Sequence, residues 1–183
     1  MTIFITMLRG INVSGQKKIK MEELRKLYES LEFQDIRSYI QSGNIIFKTH
    51  TSDRLKIISS LRESIFNHFG FDVSIILRTS KELERIVSNN PFHDKDTKRI
   101  LVSFLAEENK NYNIDELLQV KAKGEEFKIK GKEIYLFLPY GSGKTKLTNN
   151  FFERKLGVQI TTRNWKTVNK ILDISKDIKD EIK

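Results

Sequence analysis

Residues 36–49 read IRSYIQSGNIIFKT, in which two short strand-like runs flank the glycine-containing pair Ser42-Gly43. Such a pair between β-branched and aromatic residues predicts a two-stranded hairpin. A two-residue turn at this position sets Ile40 opposite Ile45, so their apolar side chains share one face of the sheet.

The flanking sequence completes a unit around this hairpin. Apolar residues recur at helical spacing over residues 21–31 and 55–69. Nearly continuous apolar runs at residues 3–8 and 73–77 are typical of strands. The predicted order is strand, helix, hairpin, helix, strand, which is the split βαβ or ferredoxin-like arrangement.

The second half of the chain repeats this order. The repeated elements are a strand at 100–105, a helix at 114–120, a hairpin at 125–138, a helix at 147–156 and a strand at 158–161. We therefore predict an α+β protein with two ferredoxin-like subdomains and antiparallel sheets. The expected subdomains are residues 1–79 and residues 98–183 with a closing helix, joined by a helical connector over residues 80–97.

The predicted hairpins also present side chains on the face that the helices leave uncovered. In the first hairpin this open face carries Arg37, Tyr39, Gln41, Asn44, Ile46 and Lys48, and in the second it carries Lys128, Lys130, Glu133, Tyr135 and Phe137. Rings that stack on unpaired bases and cations that hold phosphates would suit nucleic acid. The alternative is that the open faces are buried against each other or a second subunit. We favour burial, because the glycine-aromatic consensus of RNA-recognition motifs is absent.

Positive charge is concentrated in the C-terminal third of the chain. Residues 1–120 contain 18 Lys/Arg and 16 Asp/Glu, whereas residues 121–183 contain 15 and 8, which accounts for +7 of the net +9. A local excess of this size attracts phosphate-bearing partners. The alternative is an ordinary lysine-rich surface without such a partner.

Composition excludes several classes of protein. The chain of 183 residues contains no cysteine, which rules out disulfides, thiolate catalysis and cysteine-ligated metal. No run approaches the ~20 apolar residues that span a bilayer, so no membrane partner is predicted. The N-terminal residues are typical of a strand and not of a signal peptide. These features predict a cytoplasmic protein.

The segment GSGKT at residues 141–145 lies between a predicted strand and a predicted helix. A full phosphate-binding P-loop requires glycine where this chain has Leu138, so nucleotide hydrolysis is not predicted. An anion site at the helix N-terminus, served by Lys144 and Lys146, is one interpretation. A solvated lysine-rich helix cap is the other.

Catalytic signatures are weak throughout the chain. His50, His68 and His93 are widely separated and lack paired ligand spacing, so no metal site and no cofactor are predicted. No nucleophile elbow is present. Catalytic residues are therefore not assigned, and the sequence does not decide whether the protein is an enzyme.

Three segments resemble the signatures of an uncharacterised bacterial family known only as a domain of unknown function: LRGINVSG at 8–15, YIQSGN at 39–44 and TTRNW at 161–165. They occur in order along the chain, with one departure at Ser14, where the family usually has glycine. The resemblance implies a cytosolic bacterial protein with a duplicated ferredoxin-like fold. It implies no activity, cofactor or catalytic residue.

The same segments carry polar side chains suited to a ligand pocket, because amides and arginines fix a ligand by hydrogen bonds. The residues predicted to converge where the subdomains meet are Arg9, Asn12, Gln41, Asn44, Arg163 and Trp165. The alternative is structural: the amides and glycines serve turns, the arginine forms a buried ion pair and the tryptophan packs in a core. In either case Asn164 or Thr162 is expected to cap the last helix.

Three functions follow from these observations. The leading one is a binding protein for nucleic acid or a phosphorylated ligand, which would use Lys128, Lys130, Tyr135, Lys144, Lys146 and Arg163. The second is a small-molecule enzyme or sensor that uses the pocket at the subdomain junction. The third is a structural or interaction protein with buried sheet faces. Oligomeric state is not predicted.

Overall fold

The computed structural model describes residues 1–180 and divides into two compact units. The first unit consists of Met1–Arg85 and the segment that begins at Lys170, and the second consists of Ile86–Asn169. Each unit contains a four-stranded antiparallel sheet with helices, which confirms the predicted α+β class and the duplicated ferredoxin-like architecture. The predicted subdomain boundaries, 1–79 and 98–183 with a connector over 80–97, stay a prediction.

The first unit follows the predicted element order. Its elements are β1 (Thr2–Leu8), α1 (Met21–Ser30), β2 (Gln34–Tyr39), β3 (Asn44–Thr49), α2 (Arg54–Phe69) and β4 (Ile75–Thr79). The strands lie in the order β2-β3-β1-β4, so β1 and β3 are central. Helix α3 (Ser80–Ser88) follows β4, and helix α6 (Trp165–Asp180) contributes its C-terminal part to this unit.

The core of the first unit lies between its helices and one face of its sheet. The Tyr28 ring of α1 packs edge-on against Phe47 of β3 with 5.4 Å between centroids, and both are fully buried. The Tyr28 hydroxyl and the Thr6 hydroxyl are hydrogen-bonded at 2.7 Å, which satisfies both buried polar groups.

The predicted apolar face of α2 needs one correction. Leu55 is 81% exposed, because the buried stripe of that helix begins at Ile57.

The second unit repeats the order with shorter elements. They are β5 (Ile100–Leu105), α4 (Ile114–Leu118), β6 (Glu126–Lys130), β7 (Glu133–Phe137), α5 (Asn149–Leu156) and β8 (Ile160–Asn164). The sheet order is β6-β7-β5-β8, which leaves β6 and β8 as edge strands. Phe127 of β6 packs edge-on against Phe152 of α5 in the core of this unit. Lys130 pairs with Glu133 across the turn formed by Gly131 and Lys132, within the predicted hairpin.

The first hairpin differs from the predicted register. Ser38 pairs with Ile45 and Tyr39 pairs with Asn44, so the connection contains four residues, and the predicted pairing of Ile40 with Ile45 is wrong. The Asn44 amide donates to the Tyr39 carbonyl at 3.1 Å and thereby closes the wider turn. Because the register shifts by two residues, Ile45 still faces the helices as predicted.

Most side chains on the opposite face of each sheet are also buried. In the first unit Ile5 and Ile46 have no exposed surface, and in the second unit Val102 and Phe104 have none. These side chains are therefore buried, whereas packing of the open faces on each other or on a second subunit stays a prediction. No helix within residues 1–180 is long and apolar enough to cross a membrane.

Candidate functional site

The first signature segment forms a loop that Asn12 holds together. Its amide nitrogen donates to the carbonyl oxygens of Ile19 at 2.9 Å and Gln41 at 2.8 Å, while its oxygen accepts the Ile19 N–H at 2.9 Å. Asn12 has φ +55, a left-handed conformation that asparagine tolerates better than most residues. The side chain thus joins the β1–α1 loop to the turn of the first hairpin.

The second signature segment is fixed to the same place by close backbone contact. The Leu8 N–H donates to the Gly43 carbonyl at 3.0 Å. Gly43 has φ +71, and a Cβ added to it would lie 2.7 Å from both Leu8 Cβ and Ile11 Cδ1. Only glycine satisfies both the conformation and the contact. Beside it, Asn44 is buried and its amide donates to Ser42 Oγ at 2.9 Å as well as to Tyr39.

Three residues of the predicted pocket, Asn12, Gln41 and Asn44, therefore belong to the two loops that these hydrogen bonds join, an arrangement we call the clip. The structure brings Asn12 to the Gln41 backbone, and the amide hydrogens of Asn12 and Asn44 are used within the loops. Arg9 is half-buried beside them, with its backbone N–H bonded to the Ser74 carbonyl at 2.9 Å. This arrangement supports the structural interpretation of both asparagines.

The other two residues of the predicted pocket belong to the second unit. Arg163 is buried and donates to Thr161 Oγ1 at 2.7 Å, and burial lowers the pKa of its guanidinium to about 10. Asn164 accepts the Thr167 N–H at 2.8 Å and so caps α6, as one of the two expected caps. Trp165 is half-buried at the first position of that helix. Convergence of all six residues on one pocket stays a prediction.

The glycine-rich segment at residues 141–145 does not open a helix. Helix α5 begins at Asn149, after Thr148, whose hydroxyl accepts the Phe151 N–H at 3.2 Å. The predicted helix start at residue 147 is therefore wrong, and Lys144 and Lys146 lie farther from the start of the helix than predicted. Both lysines are exposed, and they do not oppose the helix dipole as expected.

The predicted basic and aromatic face of the second hairpin is only partly available. Lys128 and Tyr135 are cross-strand neighbours, as expected. Tyr135 is 1% exposed and its hydroxyl donates to the Ile86 carbonyl at 2.9 Å, so its ring offers no surface for stacking. Lys130 Nζ is bonded to the Asn89 carbonyl at 2.9 Å. Lys128 remains exposed on edge strand β6, where lysine also discourages pairing with other sheets.

An aromatic residue that the sequence analysis did not single out is exposed close by. Tyr140 is 63% exposed in a turn closed by the hydrogen bond from the Gly141 N–H to the Leu138 carbonyl, at 2.9 Å. A Cβ at Gly124 would lie 3.9 Å from the Tyr140 hydroxyl, so the turn before β6 is adjacent. The available signal was the position of Tyr140 between proline and glycine, which predicts a turn and hence exposure.

The loops next to this ring carry exposed cations. They are Lys121 and Lys123 in the turn before β6, Lys144 and Lys146 farther along the Tyr140 loop, and Arg99, whose guanidinium lies 3.5 Å from the position of a Cβ at Gly141. We call these five residues together with Tyr140 the Tyr140 surface. All six belong to the second unit.

The two carboxylates that follow Lys121 and Lys123 in the chain have other partners. Glu125 is only 2% exposed, and its carboxylate accepts the Ala122 N–H at 2.9 Å. Glu126 instead forms an ion pair with Lys95 at 3.2 Å. An exposed ring next to exposed cations is suited to stack on a base and hold the adjoining phosphates. Within residues 1–180, no group of three or more histidine or acidic side chains is arranged to hold a metal ion.

Comparison with known proteins identifies the family and the fold. A model of the family described as "Protein of unknown function (DUF1697)" matches residues 1–135. A similar solved structure is that of the conserved bacterial protein SP0830 from Streptococcus pneumoniae, which is 26% identical. The two structures have a TM-score of 0.68 over 95% of this chain and 98% of that one. The search of curated proteins gave no match. This chain belongs to the DUF1697 family.

Proposed function

We propose that this protein binds single-stranded nucleic acid through the Tyr140 surface. The observation that carries the proposal is the exposed Tyr140 ring in a lysine-rich part of the second unit, where the carboxylates of Glu125 and Glu126 have other partners. Stacking of a base on such a ring contributes about 1–3 kcal/mol. Lysine and arginine add phosphate contacts that do not depend on base sequence.

The geometry favours single strands over duplexes. Tyr140 lies in a turn, so its ring requires a base that is free to leave its own stack. Bases in a duplex remain stacked on each other, and only their phosphates would be accessible to the lysines. The buried Tyr135 ring cannot add a second stacking position, so the expected footprint is short.

Fluorescence anisotropy with labelled single-stranded RNA and DNA tests this function. Binding should be saturable at low salt and should weaken steeply with added salt, because about 0.7 counterion is released per phosphate of a single strand. The double variant Lys144→Ala/Lys146→Ala should reduce the slope of log K against log salt by about 1.4.

Substitutions of Tyr140 distinguish the contribution of base stacking to the affinity from that of charge. Tyr140→Ala should weaken binding by about five- to 150-fold, the equivalent of one lost stacking contact, while Tyr140→Phe should retain it. Phe66→Ala is the matched control, because Phe66 is also an exposed aromatic residue, at 54%, but lies in the first unit. Equal affinity for the Tyr140→Ala and Phe66→Ala variants would refute the proposal.

Of the residues that the sequence predicted to bind nucleic acid or a ligand, only some are available in the structure. Lys128 is exposed on β6, so Lys128→Ala reports whether the nucleic-acid path continues along the edge strand. Lys130 and the buried Arg163 already donate to protein oxygens. A small-molecule enzyme or sensor that uses Asn12 and Asn44 stays a prediction. Their amide contacts within the loops do not favour it.

A further inference from the structure

The first unit contains a cavity of about 300 Å³ beside the start of β1 and the passage from β4 into α3. Small-molecule sites begin at about this volume. A metabolite of a few carbon atoms fits this volume.

Cations predominate in the lining. Among residues 1–180, the charged side chains around the cavity are those of Lys48, Lys81, Lys179 and Glu84. Ile3 adds an apolar wall. The excess of ammonium groups selects for a negatively charged ligand.

Lys48 provides a charge that is fixed and already balanced. Its side chain is 5% exposed and forms an ion pair with Asp35 at 2.5 Å. The register of β2 against β3 shifts between Gln34 and Arg37, and Asp35 lies within this irregularity with φ +50. Lys48 therefore needs no ligand to compensate its burial.

The other two ammonium groups are available to a ligand. Lys81 and Lys179 are exposed, and neither forms an ion pair with the described side chains of residues 1–179. The polar groups beside them are committed. Glu82 accepts the Thr79 N–H at 2.7 Å in a capping box, and the hydroxyls of Ser80 and Ser175 are hydrogen-bonded to each other at 2.8 Å.

We propose that this cavity binds a small phosphate monoester between Lys81 and Lys179, with its carbon skeleton against Ile3. A phosphate monoester carries about −1.5 to −2 charges at pH 7, which matches two ammonium groups outside ion pairs. Lysine binds phosphate as a compact point charge and does not require the planar geometry that arginine offers to carboxylates. The site is distinct from the Tyr140 surface, which lies in the other unit.

Isothermal titration calorimetry with ribose 5-phosphate, inorganic phosphate and uncharged ribose tests the assignment. We expect saturable binding of both phosphate probes and no binding of ribose. The double variant Lys81→Ala/Lys179→Ala should weaken binding by about two- to 25-fold, since each exposed charge contact contributes up to about fivefold. Glu84→Gln should tighten binding, because it removes a negative charge from the lining.

Lys176→Ala is the matched control, because Lys176 is an exposed lysine of the same helix as Lys179 and does not line the cavity. Equal affinities in the double variant and in this control would overturn the proposal, as would the absence of binding by both phosphate probes. Competition by a 5′-phosphorylated oligonucleotide, but not by its unphosphorylated form, in the Tyr140→Ala variant would assign the cavity to nucleic-acid ends. That result would overturn its assignment to a free metabolite.

Discussion

Gly43 is the position at which a single methyl group should disturb the signature loops most. The Gly43→Ala variant keeps φ near +71 only at the expense of steric strain, about 1–2 kcal/mol for an L-residue in the left-handed region. The added methyl group also meets Leu8 Cβ and Ile11 Cδ1 at 2.7 Å. Ile11 Cδ1 ends a flexible side chain and can move, but Leu8 Cβ is attached to the backbone of β1 and cannot move without it.

The expected loss of unfolding free energy is the sum of these two effects. Overpacking a well-filled core typically adds about 1–3 kcal/mol. Gly43→Ala should therefore destabilise the protein by about 2–5 kcal/mol, a large fraction of the 5–15 kcal/mol that is ordinary for a domain. Much of the loss should fall on the first unit, which contains the clip.

Gly10→Ala provides the control for strain alone. Gly10 has φ +69, but a Cβ there would have no neighbouring heavy atom within 4 Å. Urea unfolding followed by circular dichroism should place Gly10→Ala about 1–3 kcal/mol above Gly43→Ala in stability. Equal destabilisation by the two substitutions would refute the reasoning, because the contact with Leu8 would then have no energetic consequence.

Two further predictions concern polar contacts of the first unit. Asn12→Ala should reduce the unfolding free energy by about 2–4 kcal/mol in the same urea assay, since it removes three hydrogen bonds, including the one to Gln41. A loss below about 0.5 kcal/mol would contradict the clip. Burial raises the pKa of Glu82, but hydrogen bonds from Arg54 and Thr79 outweigh it and hold that pKa below 4.5. The stability from Glu82 should therefore be complete above about pH 4.5 and disappear as pH falls through the folded-state pKa. Glu82→Gln should flatten the melting temperature against pH in that acid range, and an unchanged profile would contradict the assignment.

The periodicity of the sequence was sufficient to predict the order of the elements in both halves. It was less reliable where one side chain decides local geometry. The loop of the first hairpin is two residues longer than predicted, because the Asn44 side chain donates to the Tyr39 carbonyl. The preference of Ser42-Gly43 for a two-residue turn does not take this side-chain contact into account. Helix α5 began two residues later than expected because the Thr148 hydroxyl caps it.

For the candidate site, the sequence pattern predicted which side chains share a face of the sheet but not whether that face is buried. Alternation along a strand correctly placed Lys128 and Tyr135 on the same face. It carries no information on whether that face is covered, and Tyr135 is almost fully buried. The sequence pattern did not indicate Tyr140, because a single aromatic residue in a turn is not part of a helical or strand repeat. Its exposure nevertheless makes Tyr140 better suited to stacking than Tyr135.

The buried carboxylate of Glu125 bears on how the Tyr140 surface recognises a ligand. By accepting the Ala122 N–H, with the Glu125 N–H returning a bond to the Ala122 carbonyl at 3.1 Å, it holds the turn that carries Lys121 and Lys123. A cation whose backbone is already fixed loses less conformational entropy when it meets a phosphate. A negative charge thus preorganises a positive surface. Replacing Glu125 with a neutral residue would therefore raise the net charge of the second unit and still weaken its affinity for an anion.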